Sequence, residues 1–404
     1  MRVLFITPYV PSQIRVRPYQ LLRGLAERGH AVTLLCPAGS NDADALAALR
    51  PYCERIVSAP LSRAAVLANC LRALPSALPF QAAYCRTPAL LELVRRTAAA
   101  GGYDVIHVEH LRGAELGLAA MVADAPPMVF DAVDCISLLF ERALRRSPSL
   151  AARAMALLDL QRTRRYEASY GAHFPTTLVT SPEDRWALET LRDGGGGART
   201  GAITVLANGV DLAYFAPQDR PRASATLVFT GKMSYHANQA AALFLAQQIM
   251  PLVWRERPDV RLQLVGAGPP PSLLALAADT RIEVTGWVAD LRPYLAQATL
   301  AVCALRYGVG IQNKVLEAMA MGAPLVASRQ AAVALDALDG HELILAERPD
   351  EFARAILALL DDPARRAALG TRGRQYVERQ HDWARAIATL EDAYAAALHV
   401  QRGR

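Results

Sequence analysis

The stretch at 306–328, RYGVGIQNKVLEAMAMGAPLVAS, constrains the fold of this chain more than any other. It predicts a loop, a helix, a turn and a strand in quick succession. Gly308 and Gly310 predict a flexible loop, and Asn313 is the predicted N-cap, its side chain accepting from a free helical N–H. Residues 314–321 carry apolar side chains at helical spacing (Val315, Leu316, Met319, Ala320). Gly322 is placed to end the helix in the left-handed conformation, and Pro324 blocks its continuation. Residues 325–327 then predict a buried parallel strand. A glycine loop running into a helix favours a phosphate, because N–H groups converge there and the helix dipole favours an anion. Lys314 and Glu317, three residues apart, project from one helical face. The same pair also suits a surface salt bridge on an ordinary α/β unit, so the choice depends on the rest of the chain.

At 404 residues the chain is long enough for two cores, and 52% hydrophobic with 20% charged residues excludes a disordered protein. No apolar run reaches the roughly 18 residues of a bilayer span. The opening MRVLFITPYVPS, interrupted by Thr7 and Pro8, predicts a first buried strand rather than a signal peptide. The six cysteines (Cys36, Cys53, Cys70, Cys85, Cys135, Cys303) form no C-x-x-C pair and are expected to be reduced and structural, in the cytoplasm. Net charge is +6, and part of the excess is concentrated. Seven arginines (142, 145, 146, 153, 162, 164, 165) stand between 141 and 170 against Glu141, Asp159 and Glu167, which leaves +4. Such a basic helical stretch suits nucleic acid, an anionic membrane surface or a polyanionic substrate; a solvated helix face is the plainer alternative.

Taken in order, strands at 2–6 and 31–36 flank an amphipathic helix at 17–28, a βαβ unit that sets up a parallel sheet. The loop after the first strand lacks G-x-G-x-x-G, so no dinucleotide site is expected there. Ligands in such sheets sit at the carboxyl ends of strands, which places Arg15 and Arg17 where an anion could be met. Residues 41–100 read as mostly helical. Strands at 104–108 and 128–132 end in Glu109-His110 and Val133-Asp134, polar groups able to converge on one site or to serve as caps and core residues. A further strand at 178–180 precedes Ser181-Pro182-Glu183-Asp184, an N-cap with proline at the first helical position. Residues 193–197, DGGGG, predict a flexible loop, and 203–206 the last strand of the first half. Residues 212–223, LAYFAPQDRPRA, read as a linker. The rhythm then restarts with strands at 226–230, 261–265, 281–285, 300–304 and 325–327, several ending in glycine. The expected fold class is α/β, with two Rossmann-like doubly wound domains facing across a cleft. They are expected at 1–211 and 224–382, and an amphipathic helix at 383–404 follows.

The segments NGVDLAYFAP, TGKMSYHANQAA, LVGAGPPP and the long run at 284–328 make the second half resemble a retaining, family-4 glycosyltransferase of the GT-B fold. GKMSY with GIQNKVLEAMAMG, FDAVDCIS and VTSPEDR resembles, more narrowly, bacterial exopolysaccharide-associated sugar transferases. The resemblance implies a nucleotide-diphosphate sugar as donor substrate, held mainly by the second half, and a glycan or lipid-linked acceptor met by the first half, on which the final helix at 383–404 is expected to pack back. Glu317 matches the second glutamate of the family's Glu-x7-Glu motif, which meets the ribose hydroxyls; the first is replaced by Val309. Gly231 and Lys232 match a glycine–basic turn that meets the diphosphate, and Lys314 is placed to neutralise it. The family's second lysine there is missing, with Tyr235, His236 and Asn238 in its region. Val288 matches a position that reads the base edge, and Gly266, Gly310 and Ile311 complete the expected donor site. On the acceptor side the family supplies a histidine where Val133-Asp134 stands here, so Asp134 is the catalytic candidate, with Arg17, Glu109 and His110 as acceptor-side residues.

The chemistry so implied is hexosyl transfer with retention by front-face attack, in which Lys232 and Lys314 stabilise the departing diphosphate. No D-x-D stands at a strand end, so neither a metal nor another cofactor is expected. A nucleic-acid partner is not expected either. The basic stretch suggests a peripheral position at the inner membrane face. Competing readings are a nucleotide-sugar epimerase or phosphorylase on the same architecture, and a nucleotide-sugar-binding protein that has lost catalysis.

Overall fold

The structure is a computed structural model and describes residues 1–194 and 201–402. It divides into two units. The first holds Met1–Glu141, Ala156–Ala207 and Trp383–Arg404; the second holds Arg142–Met155 and Asn208–Asp382.

In the first unit the described strands are β1 (Arg2–Ile6), β2 (Ala31–Ala38), β3 (Arg55–Pro60), β4 (Val105–Glu109), β5 (Met128–Val133), β6 (Thr176–Val179) and β7 (Ala202–Val205). They form one parallel sheet in the order β3-β2-β1-β4-β5-β6-β7. Runs such as VLFI in β1 are buried along their whole length, as parallel strands covered on both faces require. In the second unit β8 (Thr226–Thr230), β9 (Arg261–Val265), β10 (Ile282–Gly286), β11 (Leu300–Cys303), β12 (Leu325–Ala327) and β13 (Ile344–Leu345) are ordered β10-β9-β8-β11-β12-β13, again all parallel. Both sheets thus run outward one way from their first strand and then the other way from their fourth. The order reverses at β1/β4 and at β8/β11, and there a crevice opens beyond the carboxyl ends of the strands.

The final helix, Trp383–Arg402, packs in the first unit. Trp383, Ile387, Leu390 and Tyr394 share a buried core with Leu21, Leu22 and Leu25 of the helix Val16–Glu27. The two helices approach closely because Gly24 lies against the Ile387 side chain and has no room for a Cβ.

Several expectations are corrected. Residues 41–100 are mostly helical as expected, but they also hold β3, an edge strand missed because its exposed and buried positions do not alternate cleanly. Residues 212–223 are not a free linker. Arg374 donates to the carbonyls of Leu212 and Phe215, and Arg222 to those of Leu295, Ala298 and Met321, so the stretch is fastened inside the second unit. The division between units falls after Ala207 rather than after residue 211. Residues 142–155, expected in the acceptor half, belong to the second unit. Asp193 and Gly194 of the expected DGGGG loop end the helix Pro182–Gly194, and its last residues lie outside the described ones. Asn313 is not an N-cap: it opens the helix Asn313–Ala320, and its Oδ1 accepts a 3.0 Å bond from Asn208 Nδ2. Gly322, at φ +62°, does end that helix.

Candidate functional site

In the second unit the crevice position is lined by glycine turns. Gly231, directly after β8, donates its N–H to Val265 O (3.0 Å), and Met233 N–H bonds Ala267 O (2.8 Å). Gly266, after β9, has φ +146°, and a Cβ there would run into the Gly231 carbonyl. The two turns therefore stack backbone on backbone, which only glycine permits at position 266. A Cβ on Gly231 would stand 2.8 Å from Asn238 Nδ2 and 3.2 Å from Lys314 Cε. The bare glycine thus gives Lys314, on the helix after β11, its place beside the turn after β8.

The loop joining β11 to that helix contains the left-handed Gly310, at φ +65°. Its side chains at Val309 and Ile311 are buried. Gln312 bridges back to the loop, donating to Val309 O (3.1 Å) and accepting from Lys314 Nζ (3.0 Å). Lys314 and Glu317 are both partly buried. Burial lowers the Lys314 ammonium, with Cys303 and Glu317 opposing the shift. Burial lifts Glu317 to about 7, with Lys314 opposing. Among the described residues nothing donates a hydrogen bond to the Glu317 carboxylate, and Lys232 is exposed with no side-chain partner. Val288 follows Gly286 beyond β10, which lies two strands from β8 and three from β11, so it stands away from the strand ends that carry Lys232 and Lys314.

The first unit treats its strand ends differently. Arg17 does not face an open anion site. It is buried, pairs with Asp131 through Nε–Oδ2 (2.7 Å) and Nη2–Oδ1 (3.0 Å), and also donates to Leu206 O (2.9 Å). His107, inside β4, stacks on Phe5 at 4.1 Å and shares a 3.0 Å bond between Nδ1 and the Tyr394 hydroxyl. Its Nε2 lies 3.7 Å from Asp131 Oδ2, and burial lowers its pKa to about 4, so the ring is neutral. Glu109 is fully buried. Its Oε1 accepts from Tyr9 OH (3.1 Å), while Oε2 has no partner among the described residues. Burial, then the neighbouring Asp131 charge, lifts it to about 8. His110 stands at φ +62° and its Nδ1 accepts the Arg112 N–H (3.1 Å). Asp134 accepts from Thr180 Oγ1 (3.0 Å) and is raised to about 7 by burial and then by Asp184.

Two features of this unit escaped the sequence reading. Val133 has φ +66°, an outlier for a β-branched residue that costs on the order of 1–3 kcal/mol. Nothing in the sequence marks it. Glu167, on the helix Leu150–Tyr170, accepts the Ile136 and Ser137 N–H groups at the start of the helix Ile136–Arg146. The only signal was a lone glutamate in an arginine-rich helix. The arginines themselves are largely committed. Arg142 and Arg146 donate to the Gly308 and Arg306 carbonyls, Arg162 to Leu74 O, and Arg164 pairs with Glu141 at 2.9 Å.

Against this geometry, the chain matches the family described as Glycosyltransferase Family 4 over residues 15–214 and that described as Glycosyl transferases group 1 over residues 224–362. This chain is a family-4 glycosyltransferase of the GT-B fold. Phosphatidyl-myo-inositol mannosyltransferase of Mycolicibacterium smegmatis is 27% identical to this glycosyltransferase over 98% of this chain and 93% of its own length. Among solved structures, sucrose-phosphate synthase from Thermosynechococcus elongatus superposes with TM-score 0.75 at 17% identity, covering 99% of this chain and 100% of the other. Anabaena HepE in complex with UDP-glucose does so with TM-score 0.71 at 15% identity, covering 98% and 100%. The glycosyltransferase has no helix, among its described residues, that is long and apolar enough to cross a membrane.

Proposed function

We propose that this glycosyltransferase moves a hexose from a nucleotide-diphosphate sugar, bound in the second unit, to a lipid-linked acceptor, with retention at the sugar carbon. The observation that carries the donor assignment is the meeting of Gly231 with Lys314 at the β8/β11 crevice, one helical turn from Glu317, whose carboxylate has no hydrogen-bond partner among the described residues. Lys314 and the exposed Lys232 are the cations available to a diphosphate there. At an effective dielectric near 20, each unit charge about 4 Å away is worth about 4 kcal/mol to the charge that develops on the leaving group. Glu317 can accept two ribose hydroxyls at once. In front-face transfer the bond from the sugar carbon to the phosphate oxygen breaks and the acceptor oxygen bonds the same face. The acceptor proton passes to the departing phosphate. The step needs no metal, and no enzyme carboxylate bonds to the sugar.

Two observations favour a lipid-borne acceptor. The Mycolicibacterium relative is named for transfer to phosphatidyl-myo-inositol. The helix Arg63–Ala73 and the residue after it expose Leu67 (61%), Leu71 (55%) and Leu74 (47%), an apolar stripe at helical spacing. Arg63 and Arg72 flank that stripe, and no acidic residue stands between Glu54 and Glu92. This face, rather than the arginines at 142–165, is suited to an anionic bilayer surface. A lipid-linked glycan of exopolysaccharide synthesis satisfies the same chemistry as a phosphoinositide.

The test is transfer from UDP-, GDP-, ADP- and dTDP-linked sugars to a bacterial lipid extract, with Lys314→Ala and Glu317→Ala beside the wild type. Product from the wild type that falls in both variants supports the reading. Undiminished transfer in both variants overturns the donor site. Transfer to soluble glycans alone overturns the acceptor.

A further inference from the structure

The loop between β11 and the helix Asn313–Ala320 is fastened by residues distant from it in sequence. Arg146 Nη1 donates to Arg306 O (2.9 Å), and Arg142 Nη1 to Gly308 O (2.6 Å). Between them, Tyr307 is fully buried; its hydroxyl donates to Ser147 Oγ (2.9 Å) and shares a 2.7 Å bond with His236 Nδ1. The His236 ring lies parallel to Tyr307, 5.5 Å between centroids. With the Tyr307 proton given to Ser147, its oxygen accepts from Nδ1–H of His236. At the far end Asn208 Nδ2 holds Asn313. Arg142, Arg146 and Ser147 lie in the excursion 142–155 that the chain makes into the second unit, and Asn208 is where it enters that unit again.

The loop needs such fastening. It carries Gly308 and Gly310, and glycine loses more backbone freedom on ordering than any other residue. A ligand that had to order this loop would lose affinity to the same extent, and ordering it in advance removes that loss. Arginine serves here because a charged N–H bonds a carbonyl more strongly than a neutral donor does.

We propose that Arg142, with Ser147 and Tyr307 beside it, is a positioning residue for the donor site, holding the Gly308 carbonyl so that the 306–312 loop is set for the diphosphate before the donor arrives. The inference rests on the donor-site reading given above, and its test separates the two. Binding of UDP, GDP, ADP and dTDP to the intact wild-type chain is measured by calorimetry. Binding of none of them overturns the donor reading, and this inference with it. Where one binds, Arg142→Gln should weaken its Kd about tenfold and Arg142→Lys by less. Amide exchange at 306–313 should quicken in Arg142→Gln, and saturating bound nucleotide should slow it again. Arg153→Ala, exposed on the same excursion, should bind as the wild type does. Wild-type affinity in Arg142→Gln overturns the inference and leaves Arg142 a purely structural residue. If Arg142→Gln does not fold, Ser147→Ala decides: weaker nucleotide binding supports the positioning role, and unchanged binding overturns it.

Discussion

The two units have the same strand order around their first strand, yet they use the crevice end of the sheet in opposite ways. In the first unit the ionisable groups there are turned inward and joined to one another: Arg17 with Asp131, and Tyr9 with Glu109. In the second, glycines clear the backbone, and among the described residues Lys314 bonds only a neighbouring glutamine while the Lys232 and Glu317 side chains have no bonded partner. Shared topology therefore does not make a shared site. A strand end whose ionisable groups are buried against one another is part of the core, whereas one that presents a lysine and a carboxylate beside bare glycine turns is ready for a ligand. The contrast predicts that damage to the first unit's strand ends appears as lost stability. Damage to the second's should appear as lost binding or turnover.

The largest effect should follow truncation after Asp382. It removes Trp383, Ile387, Leu390 and Tyr394 from the first core. At roughly 1.5–3 kcal/mol for each large apolar side chain, the loss is on the order of 6–12 kcal/mol, the scale of a whole domain's stability. The first unit should unfold in the truncated chain while nucleotide still protects the second from proteolysis. A truncated chain that melts like the intact one would break the comparison at its root. Asp131→Ala should come next. It strands the buried Arg17 guanidinium and should cost about 3–5 kcal/mol in urea unfolding, with nucleotide affinity unchanged.

On the other side, Lys314→Ala should lower kcat by about 10²–10³-fold, as removal of one transition-state contact does. Its melting temperature should hold, because burial already disfavours the Lys314 charge and the alanine leaves no acid buried with a lost bond. A destabilised Lys314→Ala would show that this lysine, like Arg17, is part of the core.

Much of this contrast was legible in the sequence, for a definite reason. Local patterns determine local structure: strands β8, β9 and β12 lie at the residues their apolar runs predict, and the glycine turn at Gly231 and the Lys314–Glu317 spacing are local too. Pairings across long separations were not legible. Arg17 read as an exposed anion contact because its partner lies 114 residues away. The arginines at 142 and 146 read as a lipid-facing surface because their carbonyl partners lie 166 and 160 residues on. Asn313 read as a cap because position alone does not show that Asn208 takes its side chain.

The smallest predicted effect is also the most selective. Burial and the adjacent Asp131 lift Glu109 to about 8, so the native state keeps a proton that the unfolded chain gives up near its ordinary value of about 4.3. Between those two values the native state binds more protons than the unfolded one, so stability is greatest below the window and falls as pH rises through it. The slope for one group is at most about 1.4 kcal/mol per pH unit. Glu109→Gln has no proton to lose, and its amide oxygen can still accept from Tyr9 OH. From pH 5 to 8 the variant should therefore lose less stability than the wild type, by roughly 1 kcal/mol per unit. Asp134 and Glu167, also raised to about 7 by burial, remain in both proteins and cancel in the difference. Nucleotide affinity should follow one pH profile in both, because the glutamate is buried in the first unit and the proposed donor residues stand in the second. Parallel stability curves would show that Glu109 ionises freely in the native state. A nucleotide profile that shifts with the substitution would show that the first unit's strand ends act on the donor, and the contrast between the units would fail.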